Sequence, residues 1–341
     1  MHIHQNFSLK KYNTFGMDVY ANKFAAFNSV YELQALFQPG PGPGHPILIL
    51  GGGSNILFTK NFDGLILKNE IRGIETVHEE EKQVYVKAGA GENWHQFVLH
   101  CIHKNFSGLE NLSLIPGNVG AAPMQNIGAY GVEIKDVFHS LEAYNYEEKK
   151  IMNFTLNDCE FGYRDSIFKH KYKDQFAILN VTFRLSKIPH FTVSYGAIEE
   201  ELEKMGIKEL SIKSISDAVI SIRTSKLPDP ALIGNAGSFF KNPEINSRAF
   251  HELNKLIPDE SNLPFYKINE ERYKIPAGWL IEQCGWKGYR NGDAGCFEKQ
   301  ALVLVNYGNA TGKEIVALSE AIARSVKEKF GITLQTEVNI N

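Results

Sequence analysis

Ile47-Leu48-Ile49-Leu50-Gly51-Gly52-Gly53-Ser54-Asn55-Ile56-Leu57-Phe58 is the stretch on which the fold class turns. Its four leading apolar residues read as a buried strand, which delivers the chain directly into three glycines. Successive glycines leave main-chain N–H groups uncovered, the kind of surface that cradles a phosphate. Two common nucleotide folds are nonetheless excluded. A Rossmann fingerprint begun at Gly51 and Gly53 needs its third glycine where Ile56 stands. The chain then runs on to a further strand at Leu65–Lys68 without a crossover helix. A P-loop needs Gly-Lys-Ser/Thr next, and that is absent. On these residues alone the loop is a phosphate cradle of another kind or a plain tight turn.

Upstream lie a polar turn wrapped in aromatics, Tyr12-Asn13-Thr14-Phe15-Gly16, and a helix predicted over Ser29–Phe37. Pro39-Gly40-Pro41-Gly42-Pro43-Gly44 reads as a surface loop, since neither helix nor central strand accepts it. Downstream, Val84–Lys87 reads as a strand, and Trp94, Phe97, Val98, Cys101 and Ile102 recur at helical spacing over Asn93–His103. The segment from Leu112 to Gly131 is rich in glycine, holds two prolines and carries no charged residue. A solvated loop normally carries charge, so this one is expected to press against something large and neutral, such as a cofactor ring system.

Strands follow near Ser140–Tyr146 and over Phe176–Leu185. Between them, Phe161-Gly162-Tyr163-Arg164-Asp165-Ser166 presents an arginine that is either half of a structural ion pair or a planar fork for a carboxylate or oxyanion. Tyr195 precedes a Glu-rich helix at Ala197–Met205, and the composition shifts again near Ser214. Gly234-Asn235-Ala236-Gly237-Ser238-Phe239-Phe240-Lys241-Asn242-Pro243 sets one hydroxyl between two small residues and two aromatics. The phenylalanines are expected to anchor this loop and present Ser238 outward; an ordinary surface turn is the alternative. Thr311-Gly312-Lys313-Glu314 fits a capping box. Ile315, Leu318, Ile322, Val326 and Phe330 then mark one face of a long helix that Gly331 ends. A final strand is predicted with Ile332, Leu334, Val338 and Ile340 on one side and Gln335, Glu337 and Asn339 on the other.

With 341 residues the chain has room for two or three domains, and its net charge of −3 points to neither nucleic acid nor an anionic membrane as partner. Neither a signal peptide nor a bilayer-spanning run is visible, which makes the cytoplasm the default address. Cys101, Cys159, Cys284 and Cys296 stand far apart, without the spacing of a zinc ribbon or a redox centre. His100 and His103 share a helix face, but no third ligand accompanies them, so no metal is expected.

Taken in order, Tyr12–Gly16, Gly51–Phe58, Gly89–Trp94, Ile115–Gly131, Phe161–Phe168, Arg223–Pro230, Gly234–Pro243, Gln300–Asn306 and Glu337-Val338 resemble the UDP-N-acetylenolpyruvoylglucosamine reductase family. The resemblance runs through most of the chain and implies an α+β fold. A two-part FAD-binding domain of the vanillyl-alcohol-oxidase type would occupy 1–215, in parts of about 1–68 and 69–215. A substrate-binding domain at 216–329 and a C-terminal strand at 330–341 returning to the active site would follow. It further implies that Gly51, Gly52, Gly53, Ser54 and Asn55 hold FAD non-covalently. Ile115, Pro116, Gly117, Gly120, Ala121, Ala122, Gln125, Asn126, Gly128, Ala129 and Tyr130 would do so too. Tyr195, Arg223, Lys226, Asn242 and Gln300 fall on positions that contact the sugar nucleotide, and the Tyr195 segment fits the branch that closes a tyrosine loop over it. Phe297 stands where relatives often carry His or another polar residue.

The chemistry so implied is reduction of UDP-N-acetylglucosamine enolpyruvate to UDP-N-acetylmuramate by a monomer, with NADPH as hydride donor through FAD. Hydride reaches C3 of the enolpyruvyl group, Ser238 protonates C2, and Arg164 and Glu337 stabilise the enolate between. An ionised carboxylate would repel an enolate, so Glu337 is expected to carry a raised pKa. Two rivals remain at this stage: another FAD-dependent oxidase on the same fold, and a non-catalytic flavin or sugar-nucleotide binding protein.

Overall fold

The computed structural model describes residues 2–37, 46–194, 197–257 and 263–341. Tyr195 and the Pro-Gly run at 39–44 lie outside the described residues. The chain forms two compact units, one of Met1–Ser8, Tyr20–Gly53 and Phe62–Ser225, the other of Leu9–Val19, Ser54–Asn61 and Lys226–Asn341.

Among the described residues the first unit holds two larger sheets, a two-stranded one of Gly128–Ala129 and Val132–Glu133, and four helices. His4–Ser8, Tyr20–Phe27, Phe62–Asn69 and Ile47–Leu50 line up in that order, the first pair antiparallel and the rest parallel. Five antiparallel strands form the second sheet in the order Lys150–Thr155, Phe138–Asn145, Phe176–Ser186, Gln83–Gly89 and Ile74–Glu79. Phe176–Leu179, the first four residues of its central strand, are apolar and buried because both faces are covered there. Phe176 and Ile178 enter one core, Ala177 and Leu179 the other, and the alternation then flips so that Val181, Phe183 and Leu185 rejoin the first. A register shift against Glu142 and Ala143 produces the flip, since one inserted residue reverses every side chain beyond it.

Helix α1 (Val30–Leu36) is capped by Ser29, and α2 (Trp94–His103) by Asn93. α2 buries the five apolar positions that its spacing predicts. α3 (Ile198–Lys204) packs on α4 (Ile212–Lys226) through Ile198, Leu202, Ile215, Ala218, Val219 and Ile222. α4 is one continuous element packed on α3, and the first unit runs to Ser225.

In the second unit, Gly234–Ser238, Val303–Asn306, Ala294–Cys296 and Arg290–Asn291 form an antiparallel sheet. Glu244–Asn246, Arg272–Lys274 and Tyr266–Lys267 form a smaller one. The helices are α5 (Ser247–Lys255), α6 (Ala277–Gln283) and α7 (Gly312–Phe330). α7 has the predicted capping box and ends at Gly331 in the left-handed region, and its five predicted apolar positions are all buried. The final strand is shorter than predicted. Only Asn339–Ile340 pairs as a strand, with Ile56–Leu57, and Ile340 is exposed. Residues 335–337 instead bond singly to the backbone of 239–241, which interrupts the ladder while leaving Ile332, Leu334 and Val338 buried. Among the described residues no helix is long and apolar enough to cross a membrane.

Candidate active site

Within the first unit the two glycine-rich loops lie against each other. A side chain on Gly52 would come within 2.8 Å of Gly117 Cα and 2.9 Å of Asn118 Oδ1. Gly51 faces the Cβ atoms of Asn118 and Ala121, and Gly120 approaches Ala90 so closely that a Cβ would sit 2.5 Å from its neighbour. Main-chain bonds tie the second loop down: Trp94 N donates to Gly117 O, Val119 N to Glu92 O and Gly120 N to Ala90 O. Lys68 Nζ donates to Gly51 O at 2.9 Å. Ala122 is buried, Ile115 and Ala129 pack partly buried on the core, Gln125 is half-buried, and Pro116 and Ala121 are exposed. The paired loops thus offer neutral backbone and small side chains, a surface that fits a flavin dinucleotide, whose pyrophosphate takes main-chain donors. Of the residues expected there, Ser54 and Asn55 belong to the second unit.

Next to this loop the backbone departs from ordinary conformations. Leu114, Asn126, Tyr130 and Arg164 are all non-glycine residues with left-handed φ, between 45° and 58°. Such outliers persist where surrounding bonds over-determine them. Asn126 shows how. Its Nδ2 donates to Glu133 Oε2 and Gly162 O, both at 2.9 Å, and its Oδ1 accepts from Lys135 N. With both donors in use, the Asn126 side chain braces the Arg164 turn. The Arg164 guanidinium in turn donates to the carbonyls of Asn126 and Gly128. A Cβ on Gly128 would crowd the Arg164 Nη1 atom at 3.0 Å.

Arg223, on α4, donates from Nε to Leu114 O at 3.3 Å and pairs with the Tyr130 hydroxyl. Burial pushes the Tyr130 phenol up and the Arg223 guanidinium down, and the charge of Arg164 lowers Arg223 further. Two arginines that feel each other's charge in a half-buried setting make this a place where an anion is favoured. Tyr130, which the family resemblance implies for the cofactor, also steadies Arg223.

In the second unit, Ser238 ends the strand Gly234–Ser238 and is half-buried, while Phe239 and Phe240 are buried as predicted. A bulge separates Asn235 from Ser238, with Gly237 at φ +69°. Asn235 holds that bulge: Oδ1 accepts from Gly237 N at 3.0 Å, and Nδ2 donates to Pro228 O and Ile233 O. On the other side, Asn235 N donates to Thr14 O and Thr14 Oγ1 to Asn235 O at 2.6 Å. The aromatic-wrapped turn at Tyr12–Gly16 is thus the backing of the Ser238 strand. Glu337 N donates to Phe239 O at 2.8 Å, which sets Glu337 alongside Ser238 in the chain trace, and Asn55 Nδ2 donates to Glu337 O.

The remaining expected contacts are mixed. Asn242 caps α6 through Oδ1, accepting from Ala277 N at 2.9 Å. Gln300 is half-buried with Oε1 turned to Leu302 N, and Lys226 is exposed at the end of α4. Phe297 is buried with Val303 and Val305. Sequence reasoning missed the role of Asn235; its place between two small residues of the Ser238 loop was the only signal. Asn235→Ala leaves the buried Pro228 carbonyl and the half-buried Ile233 carbonyl and Gly237 N–H without this partner, so stability is expected to fall by about 1–3 kcal/mol, read as a lower midpoint in chemical denaturation.

A family model described as FAD binding domain matches residues 21–152, and one described as UDP-N-acetylenolpyruvoylglucosamine reductase, C-terminal domain, matches 229–341. A Flavobacterium johnsoniae protein named UDP-N-acetylenolpyruvoylglucosamine reductase is 51% identical over 100% of both chains. One of the same name from Bacteroides fragilis is 48% identical over 98% of this chain and 99% of its own. Among solved structures, UDP-N-acetylenolpyruvylglucosamine reductase from Thermus caldophilus matches with a TM-score of 0.68 at 22% identity, covering 100% of this chain and 99% of that one. A 4-ethylphenol oxidase from Gulosibacter chungangensis matches with a TM-score of 0.50 at 11% identity, covering 97% and 84%. These two likenesses concern the fold.

The family models and the named relatives define a flavoprotein oxidoreductase, and the fold is a two-part FAD domain of the vanillyl-alcohol-oxidase type with a C-terminal α+β domain. FAD is its cofactor. By identity along its whole length, the chain belongs to the UDP-N-acetylenolpyruvoylglucosamine reductase family.

Proposed function

We propose that this protein uses NADPH to reduce the enolpyruvyl ether of UDP-N-acetylglucosamine to UDP-N-acetylmuramate, a precursor of peptidoglycan, acting as a monomer in the cytoplasm. What carries the reading is the 51% identity to a relative of that name from end to end. FAD, when bound, supplies hydride for C3 of the substrate. Arg164, whose planar guanidinium presents a fork of donors, holds the negative charge that develops between C2 and the carboxylate. Ser238 donates the proton to C2. A serine hydroxyl is a weak acid, so it serves only because the bulge fixes it and the enolate it meets is strongly basic. Glu337 assists in its protonated form, bonded to the intermediate. Arg223 and Lys226 bind the anionic part of the sugar nucleotide, with Asn242, Gln300 and Tyr195 as further contacts.

The test is anaerobic and visible. Flavin bleached by NADPH, freed of nucleotide and mixed with UDP-N-acetylglucosamine enolpyruvate, is expected to regain its yellow colour stoichiometrically as UDP-N-acetylmuramate forms. Colour that returns only with air would replace this reading with an oxidase. Flavin that NADPH never bleaches would leave a binding protein.

A further inference from the structure

Leu114 has both of its main-chain polar groups bonded to side chains. Its carbonyl accepts from Arg223 Nε at 3.3 Å, and its N–H donates to His95 Nδ1 at 3.0 Å. Leu114 is held at φ +58°, a conformation that costs a leucine free energy and needs such bonds to persist. His95 lies half-buried in the first turn of α2, where Asn93 and not the histidine caps the helix. The acceptor role requires Nδ1 to be unprotonated, which places the proton of the neutral ring on Nε2.

We infer that His95 is a positioning residue for the reductase reaction: its Nδ1 holds the Leu114 N–H and so the left-handed backbone at Leu114, and the Leu114 carbonyl which that backbone places aims Arg223 at the anionic substrate. The inference rests on the reading of Arg223 as a substrate contact. It also makes substrate binding sensitive to acid. Protonation turns Nδ1 into a donor facing another donor, so the Leu114 bond is lost and Arg223 loses its aim. Arg223, from α4, is the charged group facing His95, with Tyr130 paired to it; Ser113–Pro116 contribute no titratable side chain. On its own helix end, the Glu92 carboxylate accepts from Gly73 N. Burial and the Arg223 charge both push the imidazole below its ordinary value. The neutral, aiming form is therefore present at neutral pH and is lost only as pH falls below the ordinary imidazole range.

Two variants and one spectroscopic measurement test this. His95→Ala is expected to raise KM for UDP-N-acetylglucosamine enolpyruvate about tenfold, the worth of one hydrogen bond to a well-placed peptide, with kcat little changed. His95→Asn keeps an acceptor where Nδ1 stands, so its KM should stay near wild type and lose the rise that wild type shows in acid. In wild-type protein labelled with 15N-histidine, the His95 ring should show protonated Nε2 and bare Nδ1, a readout independent of turnover. An unchanged KM in His95→Ala, an acid rise that survives in His95→Asn, or the opposite tautomer would each overturn the inference. If His95→Ala fails to fold, the Asn variant and the tautomer decide. Wild-type protein that does not act on the enolpyruvyl ether would instead overturn the functional reading, and the tautomer result would still stand.

Discussion

The Ser238→Ala variant is expected to bleach its flavin with NADPH as wild type does, and then to lose about 10²- to 10⁴-fold in turnover of the enolpyruvyl substrate. Removing the hydroxyl removes the proton donor and little else. Phe239 and Phe240 are buried, Asn235 holds the bulge through its own side chain, and the neighbouring peptide of Phe239 remains bonded to Glu337. The backbone that presents position 238 should therefore survive the change. Rapid-mixing measurement of the two half-reactions separates the effects. A variant that NADPH cannot bleach would show that Ser238 serves binding or folding. Turnover within tenfold of wild type would pass the proton to another group.

Gly52→Ala should yield protein that purifies nearly colourless. The added methyl would stand 2.8 Å from Gly117 Cα, and Gly117 has no freedom to retreat, because its carbonyl is bonded to Trp94 N and its own φ is +116°. One loop must move, and both line the surface assigned to the flavin. Overpacking of this kind costs about 1–3 kcal/mol, which corresponds to roughly 5- to 150-fold in FAD affinity. The ratio of flavin to protein absorbance, followed by titration with FAD, measures it. A yellow variant with wild-type FAD affinity would remove Gly51–Gly53 from the cofactor surface.

What the sequence made legible follows from the range of the interactions involved. α7 could be read to the residue because its signals are local: a capping box, a 3.6-residue period and a terminal glycine all lie within one segment. Phe176–Ser186 was legible as a strand, but not its bulge, since that depends on the register of a partner strand. The tight turn at Gly51–Gly53 stayed ambiguous until Gly117 was seen against it, 65 positions along the chain. Asn126, Asn235 and His95 share one property that hid them. Their side chains bond to backbone groups of residues whose approach no periodicity encodes. The resemblance implies Asn126 for the cofactor, and the bracing of its carboxamide by Glu133, Gly162 and Lys135 has no sequence signal. Ser238, Arg164 and Glu337 drew their roles from family resemblance, because a serine, an arginine and a glutamate far apart in a chain carry no local signature of joint chemistry.

The second unit is assembled from three pieces of chain, and its closing bonds join Asn55 and Thr59 to Glu337 and Asn341 across 282 positions. On a ribosome adding about 5–20 residues per second, Ile56, Leu57 and Phe58 emerge roughly a quarter of a minute to a minute before their partners exist. All three are buried in the finished protein. The nascent chain therefore carries an uncovered apolar segment through most of its synthesis, and messenger changes that slow translation late in the reading frame should lower the yield of native protein without altering a single residue.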